Sequence, residues 1–309
     1  MTRREFLISS AAVAAIPLIG NASDESEESK ISPQNKRFSF DDAEIKKGLD
    51  SLKTIMKHET DIDRLIGRSH VGCYNSENTL WSIPGRGNCF YDVIRMEKEI
   101  TITKSFAYLG MACFAYEAKE MFNKIGFFGD TSGKKKTYGI LNEPNLNPFI
   151  EPNPYEGKMK WEDKGYNGII LDLCSAVATL RDQMGEENFQ PDKDKFTIGL
   201  SFRKDCYLNT VNKYGFSVRR FIAETWKNCR IAVIPEFDSA HEGQDVLCVI
   251  ADNSEGMNYT TYNVVCCDDT ENPIKVLSLD KNKGTVRLGF ACSGVQVPYP
   301  ERIVRYYGI

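Results

Sequence analysis

Between Met111 and Ile125 the apolar residues fall at the spacing of a single helical face: Met111, Phe114, Ala115, Ala118, Met121, Phe122 and Ile125. A stripe this wide has to be covered by another layer of the protein, so the chain must fold around at least one long helix packed into a core. Gly126 follows directly, where a left-handed cap favours glycine, and predicts the end of that helix. A second stripe comprises Ile170, Leu173, Val177, Leu180 and Met184, spaced alternately by three and four, with Gly185 at its end. Both stripes read as packing surfaces rather than cofactor contacts.

The rest of the chain follows a different period. Ser39 and Asp42 resemble a capping box, and Ile45, Leu49, Leu52, Ile55 and Met56 then mark a short amphipathic helix. From Gly72 to Ser105, turn clusters at Asn75–Asn78 and Gly85–Asn88, followed by Ile100 and Ile102 alternating with threonines, predict a long two-stranded excursion with few core residues. Phe196, Ile198, Leu200 and Phe202 alternate with Lys195, Thr197, Gly199 and Ser201, as in a half-buried strand. Ser217 caps a helix carrying Val218, Phe221, Ile222, Thr225 and Trp226. Strands are then predicted at 231–234, 246–250, 262–266, 274–279 and 286–292. A last one at 295–305 contains Pro298 and Pro300, which imply an edge or a bend. The class is α+β, without internal repeats or regular βαβ alternation.

Composition narrows the chemistry. A net charge of −4 over 309 residues gives no broad basic field for sequence-independent binding to nucleic acid. Ten cysteines are too few for a disulfide-stapled scaffold of this length, and Cys113, Cys174, Cys229, Cys248 and Cys292 sit in apolar runs as buried free thiols. The adjacent Cys266 and Cys267 lack a second pair at zinc spacing, and His58, His70 and His241 are the only histidines, so no metal ligand is assigned. Gly129-Asp130-Thr131-Ser132-Gly133-Lys134-Lys135 has three residues between its glycines where a phosphate loop needs four, and Lys135 replaces the Ser/Thr. It reads as a solvated loop. His241 sits in the loop Ser239–Gly243, away from any glycine-flanked serine, and the acid pairs Glu186-Glu187 and Asp268-Asp269 read as solvated surface. No catalytic residue, cofactor site or enzyme activity is assigned.

The N-terminus carries a separate signal. Thr2-Arg3-Arg4-Glu5-Phe6-Leu7, the apolar run Ala11–Ile19 and the small residues Gly20 and Ala22 have the layout of a twin-arginine export signal. The run is too short to span a bilayer, so no membrane partner is expected. Residues 23–36 are polar and charged like a linker, and ordered structure is expected from about Phe38.

Taken in order, these features resemble the Hong Kong 97-type major capsid proteins of tailed phages. The resemblance rests on Gly129-Asp130, on Tyr138–Asn142 with Pro144 after the first strong helix, and on Trp161 leading into the second helix. It continues through the strand Ile231–Pro235 and closes on Arg287–Phe290, Gly294–Val297, Pro300 and Gly308-Ile309. It implies residues 1–37 as an N-terminal extension and linker, 38–72 as an N-terminal arm, 73–105 as an extended loop, and 106–309 as peripheral and axial domains with the spine helix at 106–125. It further implies a structural protein that self-assembles as pentamers and hexamers into an icosahedral shell around the phage genome, in the virion and built in the host cytoplasm. Scaffold, maturation protease, portal and decoration proteins are the partners so implied, with packaged DNA held without sequence-specific contacts. The competing readings are an exported periplasmic enzyme or binding protein, on the strength of Arg3 and Arg4, and an encapsulin-like cellular compartment.

Overall fold

In the computed structural model, the described residues are 42–58, 60–66, 71–72, 78–83, 87–92, 94–101, 107–132, 137–251, 263–266, 274–280, 283–297 and 299–309. The export-like segment, the linker, Ser39, His70, residues 133–136, Cys267, Asp268-Asp269 and Pro298 lie outside them. Everything below concerns the unit Phe38–Ile309.

Helix α1 (Asp42–Lys57) buries Ile45 and Leu52 against helix α3 (Ala107–Phe128). Gly48 permits that approach: a Cβ there would stand 2.6 Å from the sulfur of Met111. The α3 stripe is buried as its spacing predicts, with Met111, Phe114, Ala115, Ala118, Phe122 and Ile125 in the core. The helix end differs from expectation. Gly126 is helical, and it is Gly129, at φ 64°, that turns the chain. Gly126 is small for a packing reason, since a Cβ would stand 3.0 Å from Ile62 of helix α2 (Asp61–Ile66).

Helix α3 lies on a five-stranded sheet. Its central strand β10 (Thr285–Gln296) pairs antiparallel with β4 (Ile94–Thr101) on one side and β9 (Ile274–Asp280) on the other. Strand β8 (Asn263–Cys266) pairs with the far end of β10, and β1 (Val71–Gly72) adds in parallel to β8. Strands β2 (Asn78–Ile83) and β3 (Gly87–Asp92) form a separate ribbon, so the predicted excursion contains a hairpin followed by a strand that joins the main sheet. Val286, Leu288 and Phe290 face the α3 core.

The expectation of separate strands at 286–292 and 295–305 is corrected. One strand runs from 285 to 296, with a register shift between Cys292 and Val295 that absorbs the irregular sequence as a bulge. Pro300 then opens a 3₁₀ turn (Pro300–Arg302), and β11 (Ile303–Tyr307) joins a different sheet. The proline bend therefore transfers the chain from one sheet to the other.

That second sheet has the order β11, β7 (Val246–Ala251), β5 (Phe196–Ser201), β6 (Cys229–Ile234) and stands between two cores. Ile234, Val246, Cys248, Ile250 and Ile303 face the α1–α3 side. Ile198, Leu200, Leu247, Val249 and Val304 face helix α4 (Trp161–Met184). The half-buried β5 of the sequence reading is therefore buried throughout: Thr197 and Ser201 are enclosed, and Gly199 lies beneath Leu65 and Phe237. Phe202 has left the strand and opens a four-residue helix, α5 (Phe202–Asp205). The crossover from β5 to the parallel β6 runs through α5, a hairpin and helix α6 (Val218–Thr225), which Ser217 caps by accepting a hydrogen bond from the Arg220 N–H.

Cys113, Cys174, Cys206, Cys229 and Cys248 are free thiols. Cys113 corrects the expectation of burial, because its apolar run is a helix whose outer face is open. Burial pushes the Cys229 and Cys248 thiols up to about 12. At pH 8, iodoacetamide is expected to modify Cys113 and Cys206 while Cys248 reacts only once the chain is unfolded, as peptide mass mapping would report. Labelling of Cys248 in the folded chain would contradict its place in the sheet.

Candidate interaction surfaces

Three buried polar clusters set the shape of the surface above them. In the first, Lys164 and Asp172 form a fully enclosed ion pair with Nζ 2.7 and 2.8 Å from the two carboxylate oxygens. The Trp161 indole donates to Asp172 at 2.8 Å, and Lys164 also donates to the Asn153 carbonyl at 2.9 Å. Gly165, at φ 67° and ψ −173°, breaks α4 one residue after Lys164, which turns the lysine back along its own helix. Burial raises the Asp172 carboxyl above the usual carboxylate range in spite of the adjacent ammonium.

In the second cluster, the enclosed Lys204 of α5 donates to Glu162 at 2.7 Å and lies 3.7 Å from Asp245. This ties the crossover to the start of α4 and to the chain entering β7. In the third, Arg305 of β11 is buried and reaches under the segment 140–149. Its guanidinium donates to the carbonyls of Ile140 at 3.3 Å, Leu141 at 2.9 Å and Asn147 at 2.6 Å, and lies 4.3 Å over the Phe149 ring. Burial lowers the Arg305 pKa from its ordinary value.

The residues weighed for chemistry fall apart in space or are absorbed by structure. In the loop after α3, the Asp130 carboxylate accepts from both the N–H and the hydroxyl of Ser132, and Asp130 bridges to Thr137. The Ser132 bonds hold Asp130 below the usual carboxylate range and occupy a donor that a phosphate would need. His241 is stacked on Phe149 at 3.9 Å and meets Tyr307 edge-on at 5.0 Å. Glu186 and Glu187 are exposed in the turn after α4. Among the described residues, no group of three or more His, Cys, Asp or Glu is placed to hold a metal ion, and no helix is long and apolar enough to cross a membrane.

What the sequence reading missed is the apolar surface left outside two closed cores. Leu109, Cys113 and Tyr116 line the outer face of α3. Val276, Leu277 and Leu279 are exposed on β9, which among the described residues pairs only with β10. Phe202, Val211, Tyr214 and Phe216 stand out from the β5–β6 crossover. Exposed apolar clusters of this kind belong to protein contacts. The missing signal was exposure: each residue type was visible in the sequence, but its position outside the core was not.

Comparison with known proteins agrees with a surface made for contacts. No curated protein sequence matches the chain. Its fold is similar to the capsid of Myoviridae phage XM1, at 12% identity and a TM-score of 0.52 over 72% of this chain and 75% of that one. It is also similar to a virus-like particle from Pyrococcus furiosus, at 13% identity and a TM-score of 0.52 over 84% of this chain and 98% of that one. Residues 111–266, just over half of the chain, match the family of the Pa193 gp26 major capsid protein. The chain belongs to that major capsid protein family, and is a shell-forming structural protein with the α+β Hong Kong 97-type fold.

Proposed function

We propose that copies of this chain close into an icosahedral shell around a phage genome, each copy burying against its neighbours the apolar surface that its own cores leave open. The exposed stripe on α3 and the exposed Val276, Leu277 and Leu279 of β9 carry the reading, because apolar clusters left outside a closed core mark surfaces that meet another protein. In this reading, residues 38–72 form an arm and residues 73–105 an extended loop that reaches over adjacent subunits, with α3 as the spine. Residues 106–309 supply the peripheral and axial domains. Many modest contacts repeated over a closed lattice make the assembly stable.

Packaged DNA would meet the shell without sequence-specific contacts, consistent with the net charge of −4. Scaffold, maturation protease, portal and decoration proteins are the expected partner classes, with assembly in the host cytoplasm. The export-like residues 1–22 are then a segment removed during maturation. Electron microscopy of the purified full chain is expected to show rings, sheets or closed particles, and intact mass of the assembled protein to show loss of the N-terminal segment. A strictly monomeric chain at high concentration, with and without residues 1–37, would refute the shell.

The virus-like particle from Pyrococcus furiosus shares the fold over 98% of that chain, and a shell of the same fold enclosing a protein cargo in a cell is the second reading. Particles isolated from the native source should contain DNA under the first reading and a protein cargo under the second.

A further inference from the structure

We propose that the segment 147–151 is a removable guard of the β11 edge, which keeps that strand from pairing with the β11 of a second copy. The proposal concerns the unassembled subunit and stands apart from the shell reading.

Among the described residues, β11 is the last strand of its sheet: it pairs antiparallel with β7 from Ile303 to Tyr307, and no further strand lies on its other side. Its sequence, Ile-Val-Arg-Tyr-Tyr, sets β-branched and aromatic residues around one arginine, without proline, glycine or acid. An edge of this composition is a template for another strand, an identical one included.

The chain covers that edge with a single backbone bridge. The Ile150 N–H donates to the Arg305 carbonyl at 2.9 Å, and the Tyr307 N–H donates to the Ile150 carbonyl at 3.1 Å. In a parallel ladder the residue that bonds its neighbour supplies both its N–H and its C=O, and the next residues to do so lie two positions away on either side. Those positions are Pro148 and Pro152. Neither carries an N–H, so the ladder stops at one bridge. The segment occupies the edge without becoming a strand.

Side chains supply the remaining hold. The Arg305 guanidinium donates to the Asn147 carbonyl at 2.6 Å and lies 4.3 Å over the Phe149 ring. His241 stacks on that ring at 3.9 Å, and Tyr307 meets it edge-on at 6.3 Å. The turn that presents His241 holds Ser239 at φ 55° and Glu242 at φ 51°, left-handed conformations that residues other than glycine rarely adopt. A groove of about 470 Å³, lined in part by Pro148, Phe149, His241, Glu242 and Tyr307, lies beside this clamp. Leu146 and Pro152 are buried at the two ends of the segment, whereas Asn147, Pro148 and Glu151 are exposed. One bridge and one aromatic stack between two anchored ends describe a unit that opens locally while the rest of the chain stays folded.

The test uses the full chain at a concentration where wild type is monomeric. It compares wild type with Phe149→Ala, which removes the clamp, and with Ile150→Pro, which removes the bridging N–H. Thermal melting monitors the fold, light scattering monitors association, and hydrogen exchange at the Tyr307 amide reports on the edge. Both variants are expected to melt cooperatively, and as monomers to exchange the Tyr307 amide about tenfold or more faster than wild type. Both are then expected to associate, with the Tyr307 amide protected again in the associated fraction. Folded variants that stay monomeric overturn the guard, and so does association that leaves the Tyr307 amide exchanging. Where one variant loses the fold, the other decides; loss of the fold in both places the segment in the core and overturns the guard as well. The shell reading is judged separately, by assembly of wild type.

Discussion

Replacing Lys164 with methionine is expected to lower the stability of the folded subunit by about 3–5 kcal/mol, because it leaves the Asp172 carboxylate buried without its counterion. Both side chains are enclosed, and Asp172 keeps only the Trp161 indole as an alternative donor among the bonds described above. The Asn153 carbonyl loses its ammonium partner as well. Replacing both members, as Lys164→Met with Asp172→Leu, is expected to recover most of the loss, since the ion pair's own desolvation offsets much of its attraction. Urea denaturation of the unassembled subunit measures both.

The same pair has a pH signature. Asp172 has a raised pKa in the folded state, so the folded chain holds that proton more tightly than the unfolded one. Stability contributed by this group is complete below the ordinary carboxylate value of 3.8 and is lost as pH rises through the raised folded value. Without Lys164 the carboxylate is harder still to ionise. The deficit of Lys164→Met is therefore expected to shrink as pH falls from 7 toward 4, after correction for the pH dependence of wild type. A deficit that stays constant or grows on acidification would mean that Asp172 is solvated in the variant.

Arg305→Met carries the second large effect. One guanidinium satisfies the carbonyls of Ile140, Leu141 and Asn147 and stacks on Phe149, so its loss strips three backbone acceptors at once. At roughly 1–3 kcal/mol for each buried acceptor left unpaired, a loss of about 3 kcal/mol or more is expected. Arg305→Lys should recover little, since a single ammonium cannot span the fork that reaches all three carbonyls. Limited proteolysis should cut the variant earlier within 140–149 than wild type, because that segment is what the arginine holds to β11. Unchanged melting and unchanged cleavage would show that water replaces the guanidinium without cost.

Helices α3 and α4, and the strands between Phe196 and Leu279, were legible because their signals are local. The repeat of Met111, Phe114, Ala118, Phe122 and Ile125 states a helix and its buried face without reference to anything distant. Gly185 after Met184 marks a helix end for the same reason, and at φ 88° it occupies a conformation that glycine adopts readily. Ser217 as a cap is likewise a matter of three residues.

The ion pairs and the exposed hairpin of the β5–β6 crossover were not legible. Lys164 and Asp172 are eight residues apart, and only the break at Gly165 and enclosure by the second core bring them together. Arg305 meets partners 158 to 165 residues away. Val211, Tyr214 and Phe216 have no period, Phe202 continues the alternation of β5 in sequence although it has left the strand, and large apolar side chains by type alone favour burial.

What the sequence by itself determined was the order of helices and strands and which residues needed a core, because periodicity and capping act over a few neighbouring positions. Only the tertiary structure decided which faces would meet a second layer. It set α2 over Gly199 so that β5 is buried on both sides, and turned Gly126 from a cap into a contact with Ile62. It also passed the chain at Pro300 from one sheet to the other. Each of these depends on contacts between segments far apart in the chain, whose closure the local residues cannot encode alone.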